Sequence, residues 1–153
     1  RLYEPLRRWL PARGAAAAAA SPGAAATVAD RLATVPGLDV ARGLHHVGGH
    51  LATLQRALAL FAQAHAQGEA ALRLPGRDAD LATWRRSAHS LRGACATLGA
   101  TALQAQLLAF ETALREPPAA EGDGTRPALA AQAQAIDAQL QALCAALRQA
   151  LAP

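Results

Sequence analysis

Apolar or small residues at 81, 84, 88, 91, 95 and 98 (Leu81, Trp84, Ala88, Leu91, Cys95 and Leu98) recur in alternating steps of three and four. That rhythm brings side chains back to one side of a helix, so it predicts a helix packed along a seam. The helix starts at Asp78 or Asp80, acids suited to the positive N-terminal end, and Gly99 turns the chain at its close. The same spacing occurs elsewhere. Leu51, Leu54, Leu58, Phe61 and His65 predict a helix over 50–72, closed by Pro75-Gly76. Leu103, Leu107, Phe110 and Leu114 predict one over 100–116, and Leu129, Ala133, Ile136, Leu140, Leu143 and Leu147 one over 127–151. Between these two, Pro117-Pro118 and Glu121-Gly122-Asp123-Gly124 read as an acidic loop. Val40, Leu44 and Val47 mark a short helix over 39–47, with Asp39 near its N-cap and Gly48-Gly49 breaking it. Short connections make sequential helices antiparallel neighbours. The expected fold is therefore all-α: an antiparallel up-and-down four-helix bundle with an extra short N-terminal helix.

Ahead of the bundle the pattern changes. Residues 1–10 read as a short amphipathic helical end with Leu2, Leu6, Trp9 and Leu10 on one side, stopped by Pro11. Residues 11–35 are dominated by Ala, Gly and Ser, too small to pack, and read as a flexible linker. The folded domain is expected over 36–153.

Composition narrows the class. Apolar residues make up 52%, much of it alanine, and aromatics only 3%, which favours closely packed helices over a sheet. A bundle of about 110 residues can bury an adequate core. The net charge of +4 suggests nucleic acid, but its distribution argues otherwise. Residues 1–35 hold five arginines against two acids, whereas 36–153 hold ten against nine. No helix carries the basic stripe that phosphate-backbone binding needs, so no nucleic-acid partner is expected. No apolar run approaches the roughly 20 residues of a membrane span, so no membrane contact by this fragment is expected. Cys95 and Cys144 fall at seam positions without metal-ligand spacing, as buried reduced thiols do, which fits a reducing, cytoplasmic setting. The chain begins with Arg and shows no signal peptide, so a piece of something longer is expected.

Among the histidines, His45, His46 and His50 suggest a metal cluster, but Gly48-Gly49 separates them and no Asp, Glu or Cys completes a set. No metal is expected there; His50 reads as a helix-start residue and His65 as a partly buried edge of the core. His89 is different. At about 100° per residue it lies roughly 130° from the middle of its helix's seam, so it faces solvent. Arg85 and Arg92 lie one turn before and after it, on the flank between His89 and the seam, and Gly93 lies beside it on the outer face. A glycine inside a helix costs about 1 kcal/mol relative to alanine, so its role here is to clear space next to the imidazole. Across a hairpin turning at Gly99, Glu111 comes level with His89, and Arg115 follows one turn later.

These residues carry a resemblance. His89, Leu91, Arg92 and Gly93, then Gly99, Leu103, Phe110 and Glu111, match in spacing the pattern of the histidine-containing phosphotransfer domain, the bundle module of multistep two-component relays. Gly43, Leu44, Gly48 and Gly49 extend the likeness, which covers about 36–151. Arg92 stands where that family usually has lysine, which keeps the charge but changes the hydrogen-bonding fork. Thr97 stands where Asn or Ser is common.

The resemblance implies that His89 accepts a phosphoryl group from a receiver's phospho-aspartate and passes it to a response-regulator aspartate. Glu111 would orient the ring, and Arg92 would offset charge on the phosphoryl oxygens. Arg85, Arg86 and Arg115 would lie near the phosphoryl group or the partner, and Gly93 would give clearance. The partners implied are receiver domains, of a parent hybrid sensor kinase and of a downstream regulator, with the domain itself a monomer. Residues 1–10 would be the remnant of a preceding receiver's last helix. Mg²⁺ would belong to the receiver; no cofactor and no ATP site is expected in this chain, which would make it a phosphocarrier and not an enzyme. A second reading stays open: a helical docking module that binds a receiver or a partner helix without chemistry.

Overall fold

The structure is a computed structural model and describes residues 27–74, 81–115 and 125–153. The helical end at 1–10, the linker to residue 26, the stops and starts within 75–80 and the acidic loop lie outside the described residues. Among those described, the helices are α1 (Val28–Ala33), α2 (Val40–His46), α3 (Leu51–Ala64), a 3₁₀ turn (Ala70–Arg73), α4 (Leu81–Leu98), α5 (Thr101–Arg115) and α6 (Thr125–Leu151). No strand occurs among the described residues.

The four long helices close a ring in which each packs on its sequence neighbours and α6 returns to α3. The predicted seams form the interior: Trp84, Ala88 and Cys95 of α4, Leu107 and Phe110 of α5, and Ala133, Leu140 and Leu147 of α6 are inaccessible to solvent. Trp84 and Phe110 meet with ring centroids 5.8 Å apart, and the Trp84 indole N–H donates to the Ala71 carbonyl at 3.0 Å. Burying such side chains contributes about 1.5–3 kcal/mol each, which compensates for the small alanine contacts elsewhere.

The α4–α5 hairpin turns at Gly99, whose φ of +85° is a left-handed conformation favoured by glycine. Its carbonyl accepts the Asp39 N–H at 2.7 Å, tying the start of α2 to the turn. Asp39 caps α2 by accepting the Arg42 N–H at 3.1 Å. Gly43 then lets α2 lie against the end of α4: a Cβ there would meet the Leu98 carbonyl.

Two expectations are corrected. The helix predicted over 50–72 ends at Ala64, and the chain re-forms as the 3₁₀ turn after Gly68, at φ +77°. The cause is Asp137 of α6, almost fully buried, which accepts the Glu69 N–H at 2.6 Å, Arg73 Nη1 at 3.2 Å and Gln141 Nε2 at 2.8 Å. Breaking the helix satisfies that carboxylate and still buries Leu72 completely. The second correction concerns the stretch 11–35 read as linker. From Thr27 onward it is folded, because Thr27 and Asp30 form a capping box that starts α1. Leu32 and Val35 enter the core, and Arg31 Nε donates to the Ala150 carbonyl at 2.8 Å, closing the C-terminal end of α6. The short N-terminal helix expected at 39–47 is thus preceded by another.

Candidate functional site

Helix α4 holds His89 on its outer flank, where the sequence pattern put it: the imidazole is 72% exposed. The turn at Gly99 brings α5 back alongside, and Glu111 comes level with the ring. His89 Nδ1 lies 3.0 Å from Glu111 Oε1. An ionised carboxylate only accepts, so this contact calls for the proton on Nδ1 and leaves Nε2 with its lone pair. Glu111 itself is buried, at 4% exposure, although it is charged and stands next to Phe110.

The second oxygen of Glu111 is taken by Arg92, whose Nε donates to Oε2. Arg92 Nη2 lies 3.5 Å from His89 Nδ1, on the same side of the ring as the carboxylate. A buried carboxylate is tolerable only with charge and hydrogen-bond partners, and this one has both. The sequence pattern placed Arg92 on the flank between His89 and the seam but gave no sign that its partner there is Glu111.

Gly93 lies one turn beyond His89, and a Cβ at that position would meet nothing within 4 Å. Nothing among the described residues requires a glycine there. The other arginines differ. Arg85 Nη2 donates to the Leu114 carbonyl at 2.7 Å, so its guanidinium closes the end of α5 and does not stand free beside His89. Arg86 Nη2 donates to the Thr83 hydroxyl at 3.2 Å and, with His65, Glu69 and Ser90, borders a shallow groove on the other flank of α4. Arg115 is exposed in the last turn of α5. His89, Glu111, Arg92 and Gly93 are therefore brought together, while Arg85 is engaged elsewhere.

Three of the other histidines do not converge. His45 and His46 are exposed with their rings edge-on at 5.9 Å, and His50 is the N-cap of α3 without a capping side-chain bond. His65 packs on Phe61 at a centroid distance of 4.7 Å. No group of three or more His, Cys, Asp or Glu that could hold a metal occurs among the described residues. No described helix is long and apolar enough to cross a membrane.

Against this geometry, the family model for the Hpt domain matches residues 44–150, which takes in the whole α4–α5 hairpin and most of α6. The chain belongs to the Hpt domain family. Hpt domains are helical-bundle phosphocarriers of two-component phosphorelays, and their partners are receiver domains. No curated protein and no solved structure matches the chain. In this Hpt domain His89 and Gly93, in the segment that resembles the phospho-acceptor motif, are exposed on α4, with the buried Glu111 carboxylate beside the ring.

Proposed function

We propose that this Hpt domain carries a phosphoryl group on Nε2 of His89, taken from the phospho-aspartate of one receiver and delivered to the aspartate of another. The observation that carries the reading is the exposed imidazole whose Nδ1 lies 3.0 Å from the buried Glu111 carboxylate. In the forward step the Nε2 lone pair forms the N–P bond. The P–O bond to the aspartyl carboxylate breaks, and its electron pair returns to that carboxylate. The proton on Nδ1 stays where it is, held by Glu111, which offsets the positive charge the ring acquires. Returning the group to a second aspartate reverses each bond change.

Gly93 gives the incoming receiver room beside the ring. On this reading Mg²⁺ would sit in the receiver's acidic pocket, and phosphoryl groups would reach His89 from a partner. The amphipathic pattern of residues 1–10 supports reading them as the end of a receiver, and the domain as a monomeric, cytoplasmic unit of a hybrid sensor kinase.

The test is transfer. Incubation with a phosphorylated receiver is expected to label the protein in an acid-labile, base-stable form, and His89→Gln is expected to abolish the label. Labelling that survives His89→Gln would move the phosphoryl group to another residue, and label that never forms with a receiver that binds would favour a docking module without chemistry.

A further inference from the structure

We infer that Arg92 is a positioning residue: it fixes the Glu111 carboxylate, and through it the His89 tautomer, so that Nε2 is offered to phosphorus. The inference rests on the phosphotransfer reading of His89 and revises the expectation that Arg92 meets the phosphoryl oxygens. Three observations carry it. Arg92 spends its Nε on Glu111 Oε2, while Glu111 Oε1 serves His89 Nδ1, so one carboxylate bridges the two side chains. The Arg92 side chain is only 27% exposed against 72% for His89, so Arg92 is the more enclosed of the two and His89 the more open to a partner. Its Nη2 approaches Nδ1, at 3.5 Å, and Nδ1 is the ring nitrogen away from the reacting one.

The consequence is a chain of orientation. Glu111 is buried, and Arg85, the neighbouring cation on the same flank, is engaged by the Leu114 carbonyl. Without Arg92 the carboxylate keeps a burial cost with one oxygen unmatched, and it turns toward water. The Nδ1 proton then loses its fixed acceptor, and an unconstrained imidazole populates both tautomers. The tautomer protonated on Nε2 has no lone pair there and cannot form the N–P bond. Arg92 thus acts on transfer through Glu111.

The experiment reads the His89 ring directly, by long-range proton–nitrogen NMR of the full chain at mildly alkaline pH. The wild type is expected to show predominantly the Nδ1–H tautomer. Arg92→Gln is expected to give a mixture, as Glu111→Ala does, while Arg92→Lys, which keeps a cation for the carboxylate, retains the wild-type pattern. Transfer from a phosphorylated receiver is expected to fall about tenfold in Arg92→Gln, in the range of coupling between contacting side chains. Adding Arg92→Gln to Glu111→Ala is expected to cause little further loss.

An unchanged tautomer in Arg92→Gln, or full additivity of the two substitutions, would overturn the inference and return Arg92 to the phosphoryl group. If Arg92→Gln does not fold, Arg92→Met decides in its place: an unchanged tautomer there overturns it. The tautomer is read without any receiver. A wild type that takes up no phosphoryl group therefore refutes the transfer reading while the spectrum still decides on Arg92.

Discussion

Gly93→Ala is expected to make the protein more stable and worse at transfer. Gly93 sits inside α4, well before its end at Leu98, and a Cβ there meets nothing within 4 Å. Replacing a helix-interior glycine by alanine removes backbone entropy from the unfolded chain and contributes about 0.5–1 kcal/mol of stability. For a domain of this size that is a rise in Tm of about 2–6 °C. The same methyl stands on the turn next to His89, where residues four apart are neighbours on the helix surface. On the proposed mechanism a receiver brings its phosphorus to Nε2 past that position, and misplacement of reacting atoms by about 1 Å costs up to about 100-fold. Thermal unfolding followed by circular dichroism gives the first quantity and single-turnover transfer at saturating receiver the second. Transfer at the wild-type rate would refute the clearance argument. A lower Tm would show that the space beside Gly93 is not open.

Other substitutions probe the frame that holds the site. Asp137→Ala removes the acceptor shared by Glu69, Arg73 and Gln141 and is expected to cost about 1–3 kcal/mol, with hydrogen exchange rising first over 65–73; unaltered exchange there would remove Asp137 as the cause of the helix break. Gly99→Ala forces an L-residue to φ +85° against the Asp39 carbonyl and is expected to cost more than about 2 kcal/mol, measured by urea unfolding; a neutral effect would contradict the turn. Burial, with Cys144 nearby, pushes the Cys95 thiol up to about 12, and burial pushes Cys144 up to about 11 although Arg148 lowers it. Neither is therefore expected to react with iodoacetamide at mildly alkaline pH in the native state, and both are expected to react on unfolding. Because the unfolded thiols lose their protons first, stability is expected to fall as pH rises from about 8.5 toward 12; native-state labelling or a flat alkaline profile would contradict their burial.

Much of the architecture was legible because helices store their packing in a local rhythm. The 81–98 seam, the turn at Gly99 and the outward placement of His89 all follow from residues within a few turns of one another. The level match of His89 with Glu111 followed from a single hairpin, which is the shortest long-range inference a sequence allows. What stayed hidden depends on partners far along the chain. Leu51–Ala64 stops early because Asp137, some seventy positions later, holds the loop after it. The segment at 27–35 looked too small to pack, yet Leu32 fits a core completed by α6, and Arg31 answers carbonyls at the other terminus. At the site, helical periodicity put Arg85 and Arg92 on the flank between His89 and the seam but could not say that one would meet a backbone carbonyl and the other a carboxylate.

The most direct test of the phosphocarrier account asks which atom carries the phosphoryl group. Phosphorus and nitrogen NMR of the protein after transfer from a phosphorylated receiver is expected to show one N–P linkage, on Nε2 of His89, absent from His89→Gln. A linkage on Nδ1, on another residue, or none at all with a competent receiver would contradict it.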